Sequence, residues 1–282
     1  MIHLGLIGYP LSHSLSPKLH ETALAAVNLQ GEYLLYPVAP GDIGGLAVLT
    51  NRMRAGELQG LNVTIPHKQA IMSLMDELTA CSQAIGAVNT VTLQEGKLIG
   101  HNTDAPGFQS DLAKFLRNTA VQKKALVLGA GGAARAVVYA LLKEGWKVAL
   151  AVRWADLSQA GALIKSFEPQ AGAKSMDLLL LESGDLGQLG SDIQLIVNAT
   201  PIGMFPDPEH SPWPQGCPFP KGAAVYDLVY NPRQTRLVRD AQAAGLRAKT
   251  GLGMLVEQAA LSFACWTGRE VAREILFAAV EA

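Results

Sequence analysis

The segment LVLGAGGAARA, residues 126–136, constrains the fold more than any other part of the chain. An apolar run typical of a buried strand leads into Gly129, Gly131 and Gly132, and an alanine-rich run typical of a helix follows. In a G-x-G-x-x-G/A pattern, small residues let the helix pack on the strand and let a pyrophosphate approach the helix N-terminus. Ala134 fills the last place. The pattern predicts a Rossmann unit that binds a dinucleotide at these glycines.

Two series of apolar runs and helical patterns follow one another along the chain. The first runs to about His101 and ends in a predicted hairpin, AVNTVTL and KLIGHNT. The second begins at KKALVLG, and its apolar runs lack period-two alternation, as strands buried on both faces do. The sequence therefore predicts an α/β protein of two blocks, with a parallel sheet in the second and a boundary around Phe108 to Lys123.

Composition limits the partners that such a protein can have. The hydrophobic fraction is 49%, the charged fraction 17% and the formal net charge -1, which gives no general attraction to nucleic acid or anionic lipid. The three cysteines and six histidines lack disulfide or metal-ligand spacing, so no metal is expected. No apolar run could span a bilayer, and no cleavable signal precedes the first strand. We expect a cytoplasmic protein that binds small molecules or a second copy of itself.

Lys68 lies in GLNVTIPHKQA, directly after a predicted strand. Pro66 is well suited to the first position of a helix, so the pattern predicts a helix from Pro66 with Lys68 in its first turn. A cation is disfavoured there, because the first turn exposes unpaired N–H groups and the positive end of the helix dipole. Either Lys68 is a tolerated surface residue or its charge is used.

Other polar residues fall at the ends of predicted strands or the starts of helices. Ser16 precedes Pro17 and is predicted to cap a helix, which leaves Ser14 without an explanation. Asp104 could cap the helix near Pro106, and Asn89 could simply satisfy backbone groups. As a set, however, they suit a hydroxylated anion at the edge where open α/β sheets bind ligands. The set consists of Ser14, Ser16, Thr64, Lys68, Asn89 and Asp104.

Arg153 ends the second predicted strand of the Rossmann unit, WKVALAV. NAD-binding proteins usually carry an acid there, which binds the ribose 2′-OH. A guanidinium can instead pair with a 2′-phosphate, so the sequence favours NADP. Asp156 lies nearby and keeps NAD possible.

Eight segments in this order and spacing resemble the shikimate dehydrogenase family over essentially the whole chain: HSLSP, NVTIPHK, IGAVNTV, NTDAPGF, LGAGGAARA, NATPIGM, LVYNPRQT and GLGMLVEQAA. The resemblance implies NADPH-dependent reduction of 3-dehydroshikimate to shikimate, a step of chorismate and aromatic amino acid biosynthesis. It implies a substrate-binding catalytic domain with a mixed sheet at 1–105, completed by C-terminal helices at 255–282. A Rossmann NADP-binding domain is implied at 106–254, and both monomers and homodimers occur in the family.

The resemblance also implies roles for individual residues. Lys68 and Asp104 match the family's catalytic pair. The substrate residues are Ser14 and Ser16 for the carboxylate, with Tyr230 near it, Thr64, Asn89, Asp104 and Gln258 for the hydroxyls, and Lys68 itself. The cofactor residues are Gly129, Ala130, Gly131, Gly132 and Ala133 in the glycine-rich loop, Arg153, Thr200 near the nucleotide, and Val229, Gly251 and Met254 on the nicotinamide side.

One departure from the family concerns the cofactor. Many NADP-using members read Asn-Arg-Thr after the second strand, with a second basic residue soon after, whereas this chain reads VRWAD from Val152 to Asp156. Since only Arg153 is kept, we expect NADP with reduced discrimination against NAD.

Two other functions remain open at this point. A quinate/shikimate dehydrogenase would accept NAD and an extra hydroxyl, although serine at both positions 14 and 16 favours shikimate. A non-catalytic dinucleotide-sensing regulator would be expected to lack Lys68 or Asp104, and both are present.

Overall fold

The computed structural model describes residues 1–116, 123–171, 176–181, 186 and 192–281. The chain divides into two compact units, Met1–Gly107 with Leu255–Ala282 and Phe108–Met254. Each unit contains a six-stranded sheet, counted over the described residues. The boundary implied by the resemblance lies after residue 105, two residues before this division. The boundary expected from the sequence pattern, around Phe108 to Lys123, begins directly after it, and residues 117–122 of that stretch lie outside the described residues.

The first unit has a mixed sheet. Its elements before the boundary are β1 (Ile2–Gly8), α1 (Ser16–Ala26), β2 (Gly31–Pro37), α2 (Ile43–Arg54), β3 (Gly60–Val63), a 3-10 helix (Ala70–Leu74), β4 (Glu77–Leu78), α3 (Ala80–Ile85), β5 (Thr90–Gln94) and β6 (Lys97–His101). The strand order is β2-β1-β3-β5-β6-β4. β1 is parallel to β2 and β3, and β5 is antiparallel to β3 and β6. The mixed sheet expected for this part of the chain is confirmed.

The second unit has a parallel sheet. Helix α4 (Asp104–Phe115) crosses the boundary and is followed by β7 (Lys124–Leu128), α5 (Gly132–Lys143), β8 (Lys147–Val152), α6 (Leu157–Ala171), β9 (Met176–Leu180), β10 (Leu195–Asn198), β11 (Ala224–Asp227), α7 (Arg236–Ala243) and β12 (Arg247–Thr250). The order is β12-β11-β10-β7-β8-β9, and every neighbouring pair is parallel. All residues of β10 and β11 are buried, as their continuous apolar runs predict. The Rossmann prediction is confirmed.

Two C-terminal helices return to the first unit, α8 (Leu252–Thr267) and α9 (Arg273–Glu281). Trp266 of α8 donates a hydrogen bond from Nε1 to the carbonyl oxygen of Val91 in β5, at 3.0 Å. A core cluster between α2 and the sheet contains Ile7, Leu46, Met53, Leu61 and Val91, each fully buried. Each such side chain stabilises the unit by roughly 1.5–3 kcal/mol. In the part of the chain that the structure describes, no helix has the length and apolar character that crossing a membrane requires.

His20 of α1 is buried in the first unit with only 1% of its surface exposed. Its ring stacks on Tyr33, with centroids 4.4 Å apart, and lies 5.1 Å from the ring of Trp266. Neither ring nitrogen has a hydrogen-bond partner among the described residues. Burial lowers the pKa of His20 from 6.5 to about 3.

We predict that His20 makes the free energy of unfolding fall in acid. The unfolded chain binds a proton at His20 below about pH 6.5, whereas the folded chain does so only near pH 3, so stability is lost as the pH falls through this window. A shift of this size corresponds to roughly 3–5 kcal/mol at its limit. Urea unfolding of the wild type and of His20→Phe, which keeps an aromatic ring on Tyr33, measures the effect as a difference that changes with pH.

Asp227 acts in the opposite direction, because burial raises its pKa from 3.8 to about 6. Its contribution to stability therefore falls as the pH rises through that range. Both proteins contain Asp227, so the comparison cancels it. His210→Phe is the matched control, since His210 is exposed. Parallel stability curves for the wild type and His20→Phe between about pH 4 and pH 7 would contradict the prediction.

Candidate active site

Lys68 and Asp104 form an ion pair that is largely withdrawn from solvent. Lys68 Nζ donates to Asp104 Oδ2 at 2.6 Å, and the side chains are only 14% and 6% exposed. Lys97 and Glu77 pair at the same distance with exposures of 60% and 51%, as ordinary surface residues do. Partial burial strengthens the attraction within the first pair and makes loss of either partner costly.

The turn that carries Lys68 corrects the sequence prediction. No helix begins at Pro66; residues 65–66 and 68–69 lie in turns, and the 3-10 helix starts at Ala70. The N–H of Val88 donates to the carbonyl oxygen of Lys68 at 2.7 Å, so this oxygen pairs with a distant segment instead of a helical turn. The expectation that Lys68 faces the positive end of a helix dipole is therefore wrong. Its position is set by this pairing and by Asp104.

Asp104 is the first residue of α4, where a carboxylate is favoured by the helix dipole. The N–H of Ala105 donates to Asn102 Oδ1 at 3.2 Å, and Asn102 Nδ2 donates to the carbonyl oxygen of Ala87 at 2.9 Å. Asn102 thus anchors the start of α4 to the segment before β5. The Asp104 carboxylate can therefore accept hydrogen bonds from Lys68 and Asn89.

Asn89 and Gln258 join the pair. Asn89 Nδ2 donates to Asp104 Oδ1 at 3.0 Å, so Lys68 and Asn89 contact different oxygens of the same carboxylate. A longer contact of 3.4 Å runs from Asn89 Nδ2 to Gln258 Oε1 on α8. Of the predicted substrate residues, the structure brings Lys68, Asn89, Asp104 and Gln258 together.

The sheet places the remaining residues of the first unit at the same edge. β1 and β3 are parallel, and Thr90 at the start of β5 pairs with both Asn62 in β3 and His101 at the end of β6. The ends of β1, β3 and β6 and the start of β5 therefore meet at one edge. Ser14 and Ser16 follow β1, Thr64 follows β3, Asn89 precedes β5 and Asp104 follows β6.

The cap of α1 differs from the prediction. Ser16 is the buried first residue of α1, and Leu15 occupies the N-cap position without a side-chain bond. Ser14 Oγ accepts a hydrogen bond from the N–H of Ser16 at 3.2 Å. The capping role assigned to Ser16 thus belongs to the Ser14 hydroxyl, because the chain enters the helix one residue earlier than Pro17 suggests.

The glycine-rich loop of the second unit fits a dinucleotide. Gly131 is the N-cap of α5, no acidic side chain lies in the first turn, and an added Cβ at Gly131 would meet no atom within 4 Å. This open space at a helix N-terminus suits a phosphate group. Gly129 has φ +102, and a Cβ there would lie 2.9 Å from Thr200 Cγ2. Ala130 is buried beneath the loop, while Gly132 and Ala133 form the first turn of α5.

Thr200 turns its methyl group toward Gly129, and its hydroxyl is used within its own loop. Thr200 Oγ1 donates to Asn198 Oδ1 at 2.7 Å and accepts from the N–H of Ile202 at 3.2 Å. The N–H of Thr200 also donates to Asn198 Oδ1, at 2.9 Å, so its place near the nucleotide stays a prediction.

Arg153 is paired with Asp156 at the end of β8. Nε donates to Asp156 Oδ2 at 2.8 Å, and the side chains are 65% and 31% exposed. The carboxylate occupies an edge of the guanidinium that a 2′-phosphate would also use. Trp154 between them is 71% exposed.

The residues predicted on the nicotinamide side lie after β11 and β12. The N–H of Gly251 donates to the carbonyl oxygen of Val229 at 3.3 Å, and Val229 and Met254 are buried. Tyr230 is half-buried in the same unit. Ser14 and Ser16 belong to the other unit, so the role of Tyr230 beside the carboxylate stays a prediction, as does that of Met254 beside the nicotinamide.

The sequence did not indicate that three buried hydroxyl groups, of Thr90, Thr103 and Ser262, belong to the surroundings of the Lys68–Asp104 pair. Thr90 and Thr103 flank Asn89 and Asp104 in the chain, and Ser262 lies four residues after Gln258 on the same face of α8. That spacing was the only signal for Ser262, and it does not distinguish a network member from a core residue.

Comparisons with known proteins agree with this geometry. Residues 6–91 match the family model of the shikimate dehydrogenase substrate binding domain, and residues 251–281 match that of the shikimate 5′-dehydrogenase C-terminal domain. A shikimate dehydrogenase (NADP+) from Methanopyrus kandleri is 40% identical and aligns with 98% of this chain and 94% of its own length.

Two solved structures are similar over nearly the whole chain. The Thermus thermophilus shikimate 5-dehydrogenase in complex with NADP(H) and shikimate has a TM-score of 0.82 and 37% identity, and covers 100% of this chain and 99% of its own. The Corynebacterium glutamicum quinate dehydrogenase in complex with NAD has a TM-score of 0.86 and 31% identity, with coverages of 99% and 98%.

Proposed function

The chain belongs to the shikimate dehydrogenase family, and we propose that it catalyses the reversible NADPH-dependent reduction of 3-dehydroshikimate to shikimate. It is an oxidoreductase of chorismate and aromatic amino acid biosynthesis, and NADP is its cofactor. The observation that carries the proposal is the Lys68–Asp104 pair, held at the ligand-binding edge of the sheet with Asn89 and Gln258.

Lys68 is the proposed acid–base group. When bound, NADPH supplies the hydride that adds to the carbonyl carbon of the substrate. Negative charge then grows on the carbonyl oxygen, and the Lys68 ammonium stabilises that charge and transfers a proton to it. In the direction of shikimate oxidation, the neutral Lys68 amine takes the hydroxyl proton.

Asp104 orients Lys68 through Oδ2 and accepts from Asn89 through Oδ1. Each carboxylate oxygen can accept a further hydrogen bond, so Asp104 can also bind the reacting hydroxyl. We place Thr64, Asn89 and Gln258 on the remaining hydroxyls, and Ser14, Ser16 and Tyr230 on the carboxylate.

The same proposal gives the two units different ligands. The first unit binds the substrate. The second unit binds NADP at Gly129–Ala133, with Arg153, Thr200, Val229, Gly251 and Met254 as further contacts. A cytoplasmic location and a monomeric or homodimeric state stay predictions from the sequence.

A second candidate is a quinate/shikimate dehydrogenase that tolerates NAD, and the pairing of Arg153 with Asp156 supports the cofactor part of it. An arginine already bound to a carboxylate attracts a 2′-phosphate less strongly. The difference in affinity between NADP and NAD is therefore smaller.

Turnover tests the proposed function directly. Shikimate and NADP are added to the purified protein, and the absorbance of reduced nicotinamide is followed while the product is identified by chromatography. Catalytic production of 3-dehydroshikimate supports the proposal. Binding of both ligands without turnover would identify a sensor instead.

We predict that Asp156→Asn strengthens the preference for NADP. Removing the carboxylate charge frees Arg153 for the 2′-phosphate, and an exposed pair of this kind is worth roughly 0.2–1 kcal/mol, or up to about fivefold. Calorimetric titration with 2′,5′-ADP and 5′-AMP measures the effect without turnover, as a rise in the ratio of their affinities.

Asp192→Asn is the matched control, because Asp192 pairs with Lys124 at 2.7 Å in the same unit, at the start of β7 and away from the loop. Arg153→Ala should lower the affinity for 2′,5′-ADP and leave that for 5′-AMP unchanged. If the ratio of the affinities for 2′,5′-ADP and 5′-AMP is unchanged in both Asp156→Asn and Arg153→Ala, Arg153 does not bind the 2′-phosphate.

A further inference from the structure

Ser262 of α8 lies at the centre of a cluster of buried polar side chains behind Asn89. Its hydroxyl lies 2.7 Å from Thr90 Oγ1, 3.0 Å from Thr103 Oγ1 and 3.0 Å from Asn62 Nδ2. It also lies 3.0 Å from the carbonyl oxygen of Gln258. Ser262 itself is fully buried.

The chemistry of these groups fixes the direction of most of the bonds. The carbonyl oxygen of the Asn89 side chain accepts from the N–H of Thr103 at 2.7 Å and from Thr90 Oγ1 at 3.1 Å. Because a hydroxyl has one proton, Thr90 acts as an acceptor toward Ser262. Ser262 therefore donates to Thr90, which is closer than the Gln258 carbonyl, and accepts from Thr103 and Asn62.

Asn62 is oriented in turn from the opposite side. Tyr33 donates from its hydroxyl to Asn62 Oδ1 at 2.8 Å, which leaves Asn62 Nδ2 to face Ser262 Oγ, the backbone carbonyl oxygen of Asn89 and, at 3.2 Å, Thr90 Oγ1. An amide nitrogen has no acceptor capacity, so Asn62 can only donate to Ser262. Ser262 therefore keeps its own proton for one of two acceptors, of which Thr90 Oγ1 at 2.7 Å is nearer than the Gln258 carbonyl oxygen at 3.0 Å.

The backbone N–H of Thr103 and the hydroxyl of Thr90 together decide which way the side-chain amide of Asn89 points. With its oxygen held by Thr90 Oγ1 and the N–H of Thr103, its nitrogen faces Asp104 Oδ1 at 3.0 Å and Thr103 Oγ1 at 2.8 Å. The opposite orientation would place an amide oxygen against the Asp104 carboxylate and an NH2 group against the N–H of Thr103. Either contact leaves buried groups unpaired, which is costly.

We propose that Ser262 is a positioning residue for the acid–base pair: its hydroxyl, acting through Thr90, holds the Asn89 amide toward Asp104 and so keeps Asp104 aligned with Lys68. Ser262 lies behind the pair and acts on it only through this chain of bonds. The proposal rests on the proposed function, since it assigns Ser262 a part in the same reaction.

Ser262→Ala tests the proposal. Without the hydroxyl, Thr90 keeps only the longer contact from Asn62 Nδ2 at 3.2 Å, so its hold on Asn89 Oδ1 loosens and the Asn89 amide shifts against Asp104. The kcat for shikimate oxidation should therefore fall about tenfold or more. The KM for shikimate should change less than about threefold, because a misaligned acid–base group affects the chemical step more than binding. Ser262→Thr, which restores a hydroxyl, should recover most of kcat.

Ser82→Ala is the matched control. Ser82 is a fully buried serine of the same unit whose hydroxyl donates to the carbonyl oxygen of Gly100 at 2.6 Å, outside the cluster. It should cost comparable thermal stability and leave kcat within about twofold. Equal kcat values for Ser262→Ala, Ser82→Ala and the wild type would overturn the proposal.

Thr90→Val removes the same hydrogen bond, between Thr90 and Ser262, without changing any residue of α8. It should lower kcat to a similar extent, and the double variant Thr90→Val/Ser262→Ala should be no worse than either single variant, because both remove one chain of bonds. Fully additive losses would show that Ser262 acts independently of Thr90 and would overturn the proposal.

A readout that needs no turnover separates this proposal from the proposed function. The NMR resonances of the Asn89 side-chain amide should shift and broaden in Ser262→Ala and stay unchanged in Ser82→Ala. An unchanged Asn89 amide would overturn the positioning role. Absence of shikimate turnover by the wild type would contradict the proposed function and leave this NMR result meaningful.

Discussion

Replacing Lys68 by alanine is expected to lower kcat for shikimate oxidation by about 10²–10⁴, the range typical of a lost general acid–base group. Substrate binding should weaken far less, since the proposed carboxylate and hydroxyl contacts do not depend on Lys68. We expect this loss because, among the described residues, no other cationic side chain donates a hydrogen bond to Asp104. Steady-state kinetics at saturating shikimate and NADP measures it.

Lys97→Ala is the control for this variant. Lys97 forms an ion pair with Glu77 of the same unit at the same 2.6 Å, but both partners are exposed. Its removal should change kcat by less than about twofold, because exposed pairs contribute little. If Lys68→Ala behaved like Lys97→Ala, Lys68 would not be the acid–base group.

Replacing Asp104 by asparagine should lower kcat about 10²–10³-fold although the side chain keeps its shape, a loss of roughly 3–4 kcal/mol in transition-state stabilisation. Asp104 accepts from Lys68 on one oxygen and from Asn89 on the other. Asparagine has one acceptor oxygen and one NH2 group, so one of these two donors would face another donor. The variant therefore disturbs either Lys68 or Asn89.

Glu77→Gln is the matched control, as it neutralises the carboxylate of the exposed pair. The double variant Lys68→Ala/Asp104→Asn should be little worse than Lys68→Ala, because residues that act as a unit have non-additive effects. Multiplicative losses in the double variant would mean that Asp104 contributes to the reaction independently of Lys68.

The gathering of the site at one sheet edge could be predicted from the sequence, because it depends on where strands end. Thr64, Lys68 and Asp104 follow strands, and Asn89 precedes one, so their neighbourhood follows once the mixed sheet is assumed. The glycine-rich loop was predictable for the same reason, since its strand, turn and helix are all local.

What the sequence could not predict depends on partners that are distant in the chain. The turn at Lys68 is set by the N–H of Val88, 20 residues later, whereas local propensity favoured a helix at Pro66. Ser262 joins Thr90 across 172 residues, and no local pattern marks its hydroxyl as part of a network. Asp156 was visible beside Arg153, but whether the two pair depends on the 3-10 helix Trp154–Asp156.

The proposed function is tested most directly by a comparison of four kcat/KM values, for shikimate and quinate each paired with NADP and NAD. Shikimate should be preferred over quinate by at least about tenfold, or about 1.4 kcal/mol, and NADP over NAD by a smaller factor, because Arg153 is already paired with Asp156. Turnover of quinate or use of NAD at an equal or higher kcat/KM, or no turnover with any of the four pairs, would contradict the proposed function.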